Sequence, residues 1–150
     1  MKLVAIDPGS NKCGVAIFYG KHLVDTKTIT TDAPTPLLRR ISIANQLRNT
    51  LKEVKVVSEE PLLLGRNNNG MQRLLGYLEL LTQGSVQFIH PMTLKKKLGG
   101  GKLDKLEVAL AAGERLQTEE EREVLANAIQ REAWDETDAA AIGLVYLEDR

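Results

Sequence analysis

Lys2-Leu3-Val4-Ala5-Ile6-Asp7-Pro8-Gly9-Ser10-Asn11 is the stretch on which the fold turns. Leu3 to Ile6 make a short buried strand that ends on a carboxylate, and Pro8-Gly9-Ser10-Asn11 is turn chemistry. Gly14 to Tyr19 reads as a second strand, Gly20-Lys21 as a two-residue hairpin, and His22 to Thr30 as a third strand. The chain therefore opens as a three-stranded antiparallel meander.

Outward from this meander the pattern changes. Thr31 to Pro36 is a polar loop. Leu37, Ile41, Ala44, Leu47 and Leu51 then fall at helical spacing and predict one apolar stripe. Val54 to Glu59 is a fourth strand, and Pro61 limits further pairing. Leu62 to Gly70, with Asn67, Asn68 and Asn69, reads as a loop. Met71 to Leu81 is a second helix, and Val86 to Ile89 is a fifth strand closed by His90-Pro91. Gly99-Gly100-Gly101 is a flexible break. Three helices are expected after it: Leu103 to Leu116 (with Leu106, Ala109, Leu110 and Gly113 in register), Glu119 to Arg131, and Asp135 to Leu147. The order β-β-β-α-β-α-β, then helices, implies an α/β domain with a mixed five-stranded sheet flanked by helices, the order of the ribonuclease H-like fold.

At 150 residues the chain has the length of one ordinary domain, read here as 1–150, and its 43% hydrophobic content suffices for a core. Lys plus Arg and Asp plus Glu number twenty each, which argues against indiscriminate coating of nucleic acid but permits a local basic patch. The single cysteine, Cys13, excludes an internal disulfide and a cysteine zinc cluster, and reads as a buried thiol. His22 and His90 are distant in sequence and read as surface or packing residues. No glycine-rich P-loop is present. With no secretory pattern and no apolar run near the roughly 20 residues of a membrane span, the expected location is cytoplasmic.

Four carboxylates stand out. Asp7 and Glu59 each end an apolar strand, where a charge must be solvated, paired or bound to a cation. A turn cap at Asp7 and a solvated strand end at Glu59 are the plainer readings. Glu60 follows Glu59, but successive strand residues point to opposite faces, so one of the two can share a site with Asp7. Asp135 and Asp138, three apart at a helix start, lie on one helical face. Dipole complementarity or capping would also account for them. Together the four make an oxygen donor set suited to two divalent cations, and ions about 4 Å apart can activate water and stabilise the leaving oxygen of a phosphodiester.

These residues resemble the RuvC family of Holliday junction resolvases. Val4-Ala5-Ile6-Asp7-Pro8-Gly9-Ser10 with Gly14 is similar to that family's first motif. Val56-Val57-Ser58-Glu59-Glu60 is similar to its second, and Asp135-Glu136-Thr137-Asp138-Ala139 to its third. The resemblance implies a homodimer that binds four-way DNA junctions, and acts on branched DNA, by cutting two strands of like polarity with Mg2+ or Mn2+. Asp7, Glu59, Asp135 and Asp138 would be its catalytic, metal-binding set. Lys95-Lys96-Lys97-Leu98-Gly99-Gly100-Gly101-Lys102-Leu103-Asp104-Lys105 resembles the family's phosphate-engaging segment, which makes Lys95, Lys96, Lys102 and Lys105 the expected DNA contacts. Where the family often has an aromatic residue three after the glutamate, this chain has Leu62, an apolar wedge rather than a stacking ring. Glu119-Glu120-Glu121 would face away from DNA.

Two other readings use the same scaffold. The YqgF family, linked to ribosomal RNA processing, also starts with a strand-aspartate-glycine motif, with which Lys12-Cys13-Gly14-Val15-Ala16 is compatible; its substrate would be structured RNA. A non-catalytic nucleic-acid-binding module is the third, against which the retention of all four carboxylates speaks.

Overall fold

The computed structural model describes residues 1–9, 11–52, 54–60 and 68–150; the side chains of 68–71 are not described. The elements are β1 (Lys2–Asp7), β2 (Lys12–Tyr19), β3 (His22–Thr30), α1 (Pro36–Arg48), β4 (Lys55–Glu59), α2 (Asn68–Leu81), β5 (Val86–Ile89), α3 (Pro91–Leu98), α4 (Lys105–Gly113), α5 (Glu119–Gln130) and α6 (Trp134–Glu148). They build a five-stranded sheet of order β3-β2-β1-β4-β5. The β1–β2 and β2–β3 pairs are antiparallel, and β1–β4 and β4–β5 are parallel. The mixed sheet flanked by helices agrees with the sequence pattern.

Strand alternation divides the core into two layers. Leu3, Ala5, Ala16, Phe18 and Val57 face α6 and the helices α3 to α5 beside it. Val4, Ile6, Val15 and Val56 face α1 and α2. α6 is buried along nearly its whole length, from Glu136 to Leu147, because it lies across β1, β2 and β3 with α4 and α5 on its other sides. An all-round apolar helix needs such a central position.

Several elements depart from the sequence expectation. In α1 the buried face is Ile43, Ala44 and Leu47, with Leu51 just beyond, whereas Leu37 and Ile41 are 58% and 38% exposed. The helix starts on a Thr35 cap with Pro36 in its first turn, so its first residues stand clear of the sheet. α2 begins at Asn68, inside the stretch read as a loop; first-turn positions tolerate Asn because their N–H groups have no intrahelical partner. α3 was not foreseen. Pro91 opens it, and His90 Nδ1 caps it by accepting from the Met92 N–H at 3.2 Å. α4 is shorter than the predicted 103–116 helix because Asp104 and Glu107 form a capping box that fixes its start at Lys105. Its buried residues are Ala109 and Ala112, while Leu106 and Leu110 are exposed. No helix of the described residues is long and apolar enough to cross a membrane.

Candidate active site

β1 and β4 are parallel neighbours, with Ala5 beside Val57 and Ile6 beside Ser58. One further step of this register sets Asp7 beside Glu59. Both belong to the odd-numbered face, the one α6 covers. By the same alternation Glu60 turns to the other face; it is exposed, and its backbone N–H donates to the Ile89 carbonyl at 2.8 Å.

The first turn of α6 brings Asp135 and Asp138 over this end of the sheet. The cap position of α6 is Ala133, which has no side-chain hydrogen bond to offer, so Asp135 is not the cap. Close docking is possible because β2 has a glycine at position 14, opposite Asp7 in the β1–β2 register and directly against the Asp135 backbone.

The four carboxylates sense one another. The Asp7 carboxyl is pushed up to about 8, first by burial, then by the negative charge of Asp138, against Lys105, with Asp135 and Glu59 adding to the rise. Burial and Asp138 also raise Glu59, opposed by Lys95, Lys105 and His90. Asp138 is raised by burial and by Asp135, opposed by Lys105. Burial pushes the neighbouring Cys13 thiol up, as do Asp7 and Asp135, so it stays protonated and buried.

Two ammonium groups sit among these acids. Lys105 Nζ donates to Asp138 Oδ2. Burial alone would weaken the Lys105 charge, but Asp138, Asp7 and Asp135 together hold its pKa above the ordinary lysine value. Lys12 Nζ lies 2.7 Å from Asp135 Oδ2. Among the described residues no three Asp, Glu, His or Cys side chains are close enough to share an ion as they stand; Lys12 and Lys105 hold two of the four carboxylates instead. The donor chemistry nevertheless fits a hard divalent cation. All four groups offer carboxylate oxygens, and beyond the effect of burial the charges of Asp138, Asp135 and Glu59 add to the proton affinity of Asp7.

The remaining expected contacts are distributed unevenly. Lys95 is near enough to Glu59 to lower its pKa. Lys96 and Lys102 are exposed and make no ion pair among the described residues. Lys97 is turned away to Asp149. Leu62 and Asn67 lie outside the described residues.

Sequence reasoning missed two residues here. Lys12 enters the sequence reading only in the Lys12-Cys13-Gly14-Val15-Ala16 stretch compatible with the YqgF family, and nothing local signals its pairing with Asp135. Glu136 lies between the two site aspartates but points the other way, 1% exposed. It accepts hydrogen bonds from Thr26 and Thr28 on β3, at 2.8 and 3.0 Å, and from both terminal nitrogens of Arg131 at 3.2 and 2.9 Å. This network ties the first turn of α6 to the edge strand and fixes the aspartates on either side of it.

Thermus thermophilus RuvC superposes with a TM-score of 0.67 at 21% identity, covering 97% of this chain and 92% of that one. T. thermophilus RuvC in complex with a Holliday junction substrate gives 0.67 at 22%, with the same coverage. Fowlpox virus resolvase, in complex with substrate Holliday junction DNA, gives 0.68 at 14%, covering 99% of this chain and 98% of that one. No family model and no curated protein sequence matches the chain. The fold is therefore ribonuclease H-like. More narrowly, it is the form of that fold that RuvC and the poxvirus resolvase have, matched over nearly the full length of each chain.

Proposed function

We propose that this protein is a structure-specific endodeoxyribonuclease that resolves four-way DNA junctions by metal-dependent phosphodiester hydrolysis. The observation that carries the reading is the convergence of Asp7, Glu59, Asp135 and Asp138 at one end of the sheet, close enough that three of them raise the proton affinity of the fourth. The fold it shares with two proteins solved in complex with Holliday junction DNA supports the choice of substrate.

In this reading the four carboxylates hold Mg2+ or Mn2+, with Asp7 central because the other three act on it. Bound there, the metal supplies an activated water and stabilises charge on the leaving oxygen. Lys105 then exchanges Asp138 for a DNA phosphate, and Lys95 offers a second ammonium beside Glu59; Lys96 and Lys102 extend the cationic track along the backbone. Glu136 and Arg131 hold the aspartate turn rigid. Symmetric cutting of two strands needs two such sites, which a homodimer supplies.

The test is cleavage of a synthetic four-way junction in magnesium by wild type and Asp7→Asn. Wild type should cut and the variant should not, while gel-shift binding stays within about threefold because the lost carboxylate makes no phosphate contact. If wild type leaves four-way junctions intact but cuts structured RNA, the substrate assignment falls and the fold-based nuclease reading survives. If Asp7→Asn changes neither cleavage nor magnesium binding, the site assignment falls.

A further inference from the structure

The amino ends of two of the parallel strands, β1 and β4, carry the opposite charge from their carboxyl ends. Where β1 and β4 finish in Asp7 and Glu59, they begin in Lys2 and Lys55. Five residue steps of β1 separate the two ends, roughly 17 Å at the usual strand rise. A cleft of about 920 Å³ opens at the amino ends, lined by Lys2, Lys52 and Lys55 with Arg150. Such a volume is in the range of sites that enclose nucleotide-sized ligands.

No acidic side chain lines this cleft among the described residues, and none of its lysines is in an ion pair there. Glu53, between Lys52 and Lys55 in sequence, lies outside the described residues. In a chain whose charges cancel overall, three lysines gathered without an acidic side chain beside them among the described residues are a local anion attractor. The cleft is more than a charged patch. Leu51 and Tyr146, both nearly buried, supply apolar wall, and the Arg150 guanidinium lies 5.0 Å from the centre of the Tyr146 ring. Ser85 and Gln87, at the start of β5, add neutral hydrogen-bonding groups.

We propose that this cleft is a second ligand site, distinct from the acidic end, and that it takes a phosphate-bearing nucleotide, free or as one unit of a single strand. The lysines answer the phosphate charge, and the apolar wall with the Arg150 guanidinium backed by the Tyr146 ring answers a base. A bare inorganic anion would leave that wall unused. The assignment stands independently of the junction-resolving activity, because it rests on residues at the other end of the sheet.

The experiment is an amide NMR titration of the full chain at low salt without divalent cations. Its probes are adenosine monophosphate, a thymidine pentanucleotide and inorganic phosphate. Saturable shifts at Lys2, Lys55, Ser85 and Gln87 are expected with either nucleotide probe, and the tighter of the two tells free nucleotide from strand. Lys52→Ala/Lys55→Ala, which alters two exposed side chains, should weaken that binding by about tenfold or more, whereas Lys95→Ala/Lys105→Ala should leave it unchanged. Shifts confined to the Lys95–Lys105 segment, equal affinity in the Lys52→Ala/Lys55→Ala variant, or inorganic phosphate binding as well as the nucleotides would each overturn the proposal.

Discussion

Gly14 packs against the main chain of Asp135: a Cβ built on Gly14 would lie 1.9 Å from the Asp135 carbonyl oxygen and 2.3 Å from its carbonyl carbon. Gly14 is also the β2 partner of Asp7. One residue without a side chain thus stands between the strand aspartate and the helix aspartate. The separation of these two carboxylates depends on it.

Gly14→Ala should therefore disturb the site before it disturbs the rest of the fold. The obstruction is backbone, which cannot swing aside as a side-chain tip would, so the first turn of α6 must lift. Overpacking of this kind costs about 1–3 kcal/mol, equivalent to a fall in Tm of roughly 2–12 °C for a chain of this size. Cleavage should fall by more than the folded fraction does. Thermal unfolding alongside junction cleavage separates the two, and retention of both near wild-type values would show that the docking is not needed.

The strands and the acidic pair were legible in the sequence because their signals are local. An apolar run between turn residues marks β1, and an i, i+3 spacing puts Asp135 and Asp138 on one face in any helix. What was not legible depends on partners distant in the chain. Lys12 meets Asp135 only because α6 lies across β2. Glu121, within the run expected to face away from DNA, is 2% exposed because α5 packs beside β3. α3 escaped notice because eight residues with three consecutive lysines make too short a stripe; Pro91 at its start was the one available sign.

Gly143 repeats the theme within the core. A Cβ there would be 2.2 Å from Phe18 Cε2 and 3.0 Å from the Ala5 Cβ, in the layer where α6 crosses β1 and β2. Gly143→Ala should destabilise by about 1–3 kcal/mol through this overlap. Phe18→Leu placed in the same chain should recover part of the loss, since the offending atoms are the distal ring carbons. Denaturant unfolding of the two single variants and the double variant measures the coupling, and strictly additive losses would contradict a direct clash.

Glu121 supplies the pH prediction. Its carboxylate accepts the Leu23 N–H at 2.8 Å, the Thr118 N–H at 2.8 Å and the Gln117 N–H at 2.9 Å, with His22 Nδ1 3.6 Å away. Burial favours the neutral acid, but the three N–H donors and His22 outweigh it, so its pKa is lowered. A lowered folded-state pKa means that the unfolded chain binds the proton more readily. The stabilisation is thus present above the unfolded value near 4.3 and is lost as pH falls through the folded one. Glu121→Gln, whose amide group presents N–H to N–H, should cost about 2 kcal/mol at pH 7. The gap between wild type and variant should narrow below about pH 4. A constant gap from pH 7 to pH 3 would rule out the charge as its source.

Lys12 and Lys105 should respond differently to removal, although each holds a site aspartate. Lys12 begins β2 with its side chain 60% exposed, and its contact in the site is Asp135. An exposed pair of this kind is worth at most about 1 kcal/mol, so a divalent cation drawn to Asp135 displaces Lys12 at small cost. Lys12→Ala should lower the half-saturating magnesium concentration by roughly two- to fivefold, in proportion to that energy. Lys105 is as exposed, at 59%, but three acids act on it, Asp138, Asp7 and Asp135, and in the proposed mechanism it passes to a phosphate. Lys105→Ala should weaken junction binding and reduce the slope of its salt dependence by about one. Calorimetric magnesium titration without DNA, paired with junction binding across a salt series, distinguishes the two roles. If Lys12→Ala leaves magnesium affinity unchanged, its ammonium does not compete for Asp135. If Lys105→Ala leaves the salt slope unchanged, the phosphate contact belongs to another residue.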